Sequence, residues 1–136
     1  MNSLKSVLLV DDDNINNFIN ERLLTKNNFC DNIVIKNNGD QALSYLQNEC
    51  LERRIFPDLI LLDINMPVIN GIEFIEILHK LNIAELNLIK ICILSTSENE
   101  SDLQKVNKMG DFFWVSKPLT QEKLIHILEF NFHSQG

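Results

Sequence analysis

The chain has 136 residues, 45% of them hydrophobic and 23% charged, with a formal net charge of −7. That length suits one domain with its own core, and that balance is ordinary for a globular protein. An acidic chain lacks the cationic footprint that nucleic-acid binding needs, although it is compatible with a divalent cation. The three cysteines, Cys30, Cys50 and Cys92, contain no CxxC pair. Neither a disulfide framework nor a zinc site is therefore expected, and a cytoplasmic location is. Cys92 sits in an apolar run and reads as core. No run of about 18 apolar residues occurs, and Val7–Val10 is too short for a signal-peptide core, so no membrane segment is expected.

In chain order, short apolar runs alternate with helical patterns. Val7–Val10 is the first run. After it Ile15, Phe18, Ile19 and Leu23 follow helical spacing, with Asp13 or Asn14 as cap. Ile33–Ile35 is next, then Gly39-Asp40 leading into Ala42, Leu43 and Leu46. The charged stretch Leu51–Phe56 either extends that second helix or forms a loop. Leu59–Leu62 precedes a helix after Gly71 carrying Ile72, Ile75 and Leu78. Ile91–Leu94 precedes a fourth helix after Ser101, with Leu103 and Val106. Phe112–Val115 precedes a fifth helix after Thr120, with Leu124, Ile127 and Leu128. Runs that are continuously apolar read as strands covered on both faces. Five strand–helix units imply an α/β, three-layer (βα)5 sandwich with right-handed crossovers. The flavodoxin-like strand order 2-1-3-4-5 is the common one for such a sheet. A single domain over residues 1–136 is expected, with no output domain.

In this architecture sites form outside the carboxyl ends of the strands. The first strand is followed by Asp11, Asp12 and Asp13, the third by Asp63, the fourth by Ser95, Thr96 and Ser97, and the fifth by Lys117-Pro118. An aspartate run can be simple turn and cap chemistry. Strands one and three are neighbours in the expected order, however, so their acids would converge. Two like charges about 4 Å apart repel by about 1 kcal/mol in water, and by about 4 kcal/mol at an effective dielectric of 20. Such a cluster calls for a hard cation with oxygen ligands, and few carboxylates with room for water suit Mg²⁺ better than Ca²⁺. Lys117 adds a fixed positive charge and Ser95 a hydroxyl donor. Carboxylates, Mg²⁺, lysine and hydroxyl together are the parts that handle a phosphoryl group. Asp63, the lone acid after the central strand, is the candidate nucleophile for an acyl phosphate.

Read together, VLLVDDD (7–13), NGDQAL (38–43), PDLILLDINMPVING (57–71), ILSTS (93–97) and WVSKP (114–118) resemble the receiver (CheY-like) domain of two-component response regulators. The resemblance runs from about residue 6 to residue 132. It implies that Asp63 accepts a phosphoryl group from a phosphohistidine on a histidine kinase or histidine phosphotransferase. It further implies that Asp11 and Asp12 hold Mg²⁺ beside Asp63, with the backbone carbonyl of Asn65 as a further ligand. Lys117, joined to Pro118 by a cis bond, and Ser95 would contact the phosphoryl group. Asp13 has no direct metal role. Trp114 falls at the switch position, where tyrosine, phenylalanine or histidine is more usual, and Asn65 and Ser97 flank the phosphoryl group.

Phosphorylation adds roughly −1.5 to −2 charge. Ser95 would then draw its loop inward, make room near Trp114 and bias the face made by helix four, strand five and helix five. Output would pass to a downstream protein, from a monomer or weak dimer, with neither nucleic acid nor membrane as partner. The chain would phosphorylate and dephosphorylate itself without an external metabolic substrate. His79, His126 and His133 are scattered and lack metal spacing.

Two other classes fit these residues less well. A Mg²⁺-dependent phosphohydrolase with an aspartyl nucleophile normally has that aspartate after its first strand and a second acid two residues later. Here the residue two after Asp63 is Asn65. A flavin-binding domain would want a phosphate loop after the first strand, where these aspartates repel phosphate. A receiver that has lost phosphate chemistry fits poorly with the full set of aspartate, lysine and hydroxyl.

Overall fold

A computed structural model describes residues 4–95, 104 and 112–131. The five strands are β1 (Leu4–Val10), β2 (Cys30–Lys36), β3 (Leu59–Asp63), β4 (Lys90–Ser95) and β5 (Phe113–Ser116). All pair in parallel, in the order β2-β1-β3-β4-β5. The flavodoxin-like order expected from the sequence is the one observed.

Side chains alternate along the strands, and in the central strands β1, β3 and β4 both sets are buried, whereas the edge strands β2 and β5 are largely half-buried or exposed. Leu8, Val10, Ile60, Leu62 and Ile93 face one helical layer. That layer contains Ala42, Leu43 and Leu46, and also Phe74, Ile75 and Leu78 of α3 (Gly71–Lys80). Val7, Leu9, Leu59, Leu61, Cys92 and Leu94 face the other. There they meet Leu24 of α1 (Asn14–Lys26) and Leu124, Ile127 and Leu128 of the last helix, Gln121–Asn131. Double cover is why the strands read as unbroken apolar runs.

β1 begins at Leu4, three residues before the apolar run, because the Asp58 carboxylate accepts from the amides of Lys5 (2.7 Å) and Ser6 (3.3 Å). The second helix, α2 (Gly39–Ser44), continues through a π-helical stretch, Tyr45–Cys50, and a last turn, Leu51–Arg53. Arg54 then stops it in the left-handed region at φ 59°. Leu51–Phe56 is thus partly helix extension and partly loop. The fourth helix expected after Ser101, with Leu103 and Val106, lies outside the described residues, as do Thr96, Ser97 and His133.

The face of α1 corrects an expectation. Ile15, Phe18 and Ile19 are 70%, 59% and 54% exposed, whereas Asn17, Asn20 and Leu24 point at the sheet. Both sets repeat at helical spacing. Periodicity reports the period of a helix, and the docking of its ends decides which stripe faces inward.

Asn70 and Glu73 close a capping box at the start of α3. Gly71 lies so close to the chain after β3 that a Cβ would stand 2.7 Å from Ile64 Cα and 3.0 Å from the Asp63 carbonyl oxygen. Backbone on both sides leaves nothing flexible to yield. Gly71→Ala is therefore expected to destabilise the fold by about 1–3 kcal/mol, read by thermal melting. A variant melting with the wild type would show that the loop after Asp63 has slack.

Candidate functional site

β1 and β3 are adjacent, with Val10 opposite Leu62, so the residues that follow Val10 meet Asp63 at the carboxyl edge of the sheet. Asp11 and Asp63 are each 4% exposed, while Asp12 is open to solvent. One carboxylate oxygen from each of Asp11, Asp12 and Asp63 lies within 4.8 Å of the others, and no other metal-competent group of three occurs among the described residues. Lys117 reaches in from the turn after β5. Its Nζ stands 3.3 Å from Asp11 Oδ2 and 3.2 Å from Asp63 Oδ1.

Asp11 and Asp63 are each held in a definite pose. Asp11 Oδ1 accepts from the Asp13 amide at 2.9 Å. Asp13 caps α1, its own carboxylate accepting from the amides of Ile15 and Asn16. Asp63 Oδ1 accepts from the Asn65 amide at 3.2 Å as well as from Lys117. Asn65 itself is exposed. Ser95, buried at the end of β4, offers its carbonyl to the Lys117 amide at 2.9 Å. The Lys117–Pro118 bond is cis.

Lys123 was missed by the sequence reading. Its ammonium binds the carbonyls of Ser116 (2.8 Å) and Pro118 (2.9 Å), and so anchors the turn that carries Lys117 to the last helix. No spacing rule marks such a lysine; only its place in the first turn of a helix after Lys-Pro hints at it.

The electrostatics are those of an unbalanced pocket. Burial first, and the Asp11 charge second, push the Asp63 carboxyl up to about 6, with Lys117 and the Asn65 amide pulling partly back. Burial works against the Lys117 ammonium, but Asp63 and Asp11 outweigh it and hold its pKa above the ordinary lysine value. Three carboxylates against one ammonium leave two negative charges uncompensated. That donor set fits a small, hard divalent cation.

Trp114, on β5, is half-buried against the core layer that contains Ile93, and its indole N–H has no hydrogen-bond partner. His79 stacks on Phe112 and His126 leans on Phe113, and neither belongs to the acid cluster. No helix among the described residues is long and apolar enough to cross a membrane.

Comparison with known proteins places these observations in a family. Residues 7–129 match the family model of the response regulator receiver domain. The chain is 32% identical over 131 residues to Two-component response regulator 24 of Arabidopsis thaliana, spanning 96% of this chain and 86% of that protein. It is 29% identical over 124 residues to Hybrid signal transduction histidine kinase I of Dictyostelium discoideum, covering 91% of this chain and 7% of that much longer protein. The crystal structure of a two-component response regulator from Cytophaga hutchinsonii superposes with a TM-score of 0.86 at 32% identity, covering 98% of this chain and all of that one.

Proposed function

The chain belongs to the response regulator receiver domain family, and from that premise we propose that it takes a phosphoryl group onto Asp63 from a phosphohistidine of a histidine kinase or histidine phosphotransferase. The observation that carries the reading is the position of Lys117, within 3.3 Å of both Asp11 and Asp63 in a pocket whose three acids converge.

In the proposed reaction the Asp63 carboxylate attacks phosphorus in line. An O–P bond forms, the P–N bond to the imidazole breaks, and the imidazole leaves. Asn65 N–H and Lys117 fix the rotation of the carboxylate, so it meets the donor in one orientation. Lys117 also balances charge that grows on the phosphoryl oxygens. Asp11, Asp12 and Asp63 would hold Mg²⁺, joined by the Asn65 carbonyl, and the ion would supply further neutralisation of phosphoryl charge. Ser95, buried at the end of β4, is the proposed hydroxyl contact. A change at Ser95 would pass to the neighbouring strand, where Ser95 pairs with Ser116 two residues beyond Trp114.

Ile15, Phe18 and Ile19 stand exposed on a helix that begins at the acid cluster. They are the apolar surface a phosphohistidine-bearing partner would cover. The proposed output is a contact with a downstream protein, and the proposed chemistry is self-directed, without an external metabolic substrate.

Incubation with acetyl phosphate and Mg²⁺ is expected to add one phosphoryl group, read by intact mass, and EDTA is expected to prevent it. Catalytic turnover of a small phosphate ester would favour the phosphohydrolase reading and overturn this one.

A further inference from the structure

One buried side chain touches the acid cluster without a part in the chemistry above. Asn17, on the inward face of α1, is 3% exposed. Its Nδ2 donates to the main-chain carbonyl of Asp11 at 2.8 Å. Its Oδ1 is buried and has no hydrogen-bond partner. Turning the amide over would set oxygen against the Asp11 carbonyl and bury an unpaired NH2 instead, so the orientation is settled by its neighbours.

Packing alone does not account for an asparagine here. Farther along the same face, Leu24 is fully buried in the apolar layer under the sheet. A leucine at position 17 would have nearly the shape of asparagine and would bury no orphaned side-chain oxygen, but it would leave the Asp11 carbonyl without its donor. What asparagine supplies and leucine cannot is a donor to Asp11.

That donor completes a clamp. The Asp11 amide donates to the Lys36 carbonyl at 3.2 Å, Oδ1 accepts from the Asp13 amide, and Oδ2 accepts from Lys117. Asn17 holds the remaining polar atom, the carbonyl oxygen. That oxygen belongs to the peptide joining Asp11 to Asp12. Rotation of this peptide would swing the Asp12 backbone, and with it the distance between the two carboxylates.

We infer that Asn17 is a positioning residue for divalent-cation binding: by fixing the Asp11–Asp12 peptide it sets the spacing of the two carboxylates. The inference rests on the reading that Asp11, Asp12 and Asp63 hold Mg²⁺. Groups behind the ligands of a metal site commonly govern affinity by on the order of ten-fold or more.

The test is Mg²⁺ calorimetry on the full chain, with thermal melts in EDTA, for wild type and Asn17→Leu. Both side chains are neutral, so the net charge of the pocket is unchanged. The expected result is a Mg²⁺ Kd weakened about ten-fold, with a melt in EDTA close to that of the wild type, because one orphaned buried oxygen replaces another. Phosphorylation by acetyl phosphate should be restored at saturating Mg²⁺. Wild-type affinity in a folded Asn17→Leu protein overturns the inference and leaves the cation site standing. Absence of Mg²⁺ binding to the wild type overturns the site reading itself. If Asn17→Leu melts low, Asn17→Ser, too short to reach the carbonyl, decides the matter. Weakened Mg²⁺ binding with an unchanged melt supports the inference, and parallel loss of both makes Asn17 merely structural.

Discussion

Asp63→Ala is expected to gain no phosphoryl group from acetyl phosphate, and Lys117→Met to react at least about a hundred-fold more slowly than the wild type. The first follows from the commitments of the other two acids. Asp11 spends one oxygen on the Asp13 amide and the other on Lys117. Asp12 is open to solvent at the rim of the cluster, whereas Asp63 is buried. Neither is free and aimed, so loss of Asp63 should leave no substitute. The second follows from charge. Lys117 is the cation the structure brings within 3.3 Å of both buried acids, where it meets charge in a poorly hydrated setting. Removing one preorganised donor to a developing charge typically slows a reaction by about 10²–10³.

A companion measurement separates this role from simple damage to the pocket. Lys117 competes with a divalent cation for the same oxygens, so Lys117→Met should bind Mg²⁺ more tightly while reacting more slowly. Rates from intact mass and affinities from calorimetry would show the two moving in opposite directions. If rate and affinity fall together, Lys117 holds the pocket's shape and does not act on the phosphoryl group.

The sheet was legible because its strands are covered on both faces. LILLD at 59–63 is buried at every residue, and no polar alternation interrupts it. The acids were legible because strand order converts a distance of some fifty residues along the chain into adjacency in space. Once β1 lies beside β3, Asp11 and Asp63 can only meet. What pattern reading could not reach was phase and second contacts. Ile15, Phe18 and Ile19 make a credible buried stripe in sequence, yet α1 is turned so that Asn17 and Asn20 face inward. The rotation is set by the Asp13 cap and by the bond from Asn17 to the Asp11 carbonyl. Both are local polar contacts that a hydropathy period does not register. Lys123 escaped for a related reason: its partners are main-chain carbonyls, which carry no residue identity to search for.

The strain in the pocket has a measurable thermodynamic sign. In EDTA at pH 8, Asp63→Asn should melt above the wild type. Asp63 holds its proton in the fold up to about pH 6, above the ordinary carboxylate value of 3.8, because burial and Asp11 penalise its charge more than Lys117 and the Asn65 amide relieve it. Folding therefore binds a proton here. The stability that Asp63 contributes is fully present below pH 3.8 and is lost as pH rises through 6. At pH 8 the ionised carboxylate opposes folding by about 3 kcal/mol. Asparagine keeps the shape and removes the charge, so a rise of about 10 °C is expected for a domain of this length. Near pH 4 the wild type is already protonated at Asp63, and the two melts should converge. Mg²⁺ acts in the opposite direction, because an ion that binds only the folded chain stabilises it in proportion to its occupancy. It should raise the wild type more than Asp63→Asn, which offers one charge fewer, and shrink or invert the gap at pH 8. If Asp63→Asn melts below the wild type in EDTA at pH 8, the acids are not in conflict, and the electrostatic case for a cation among them fails.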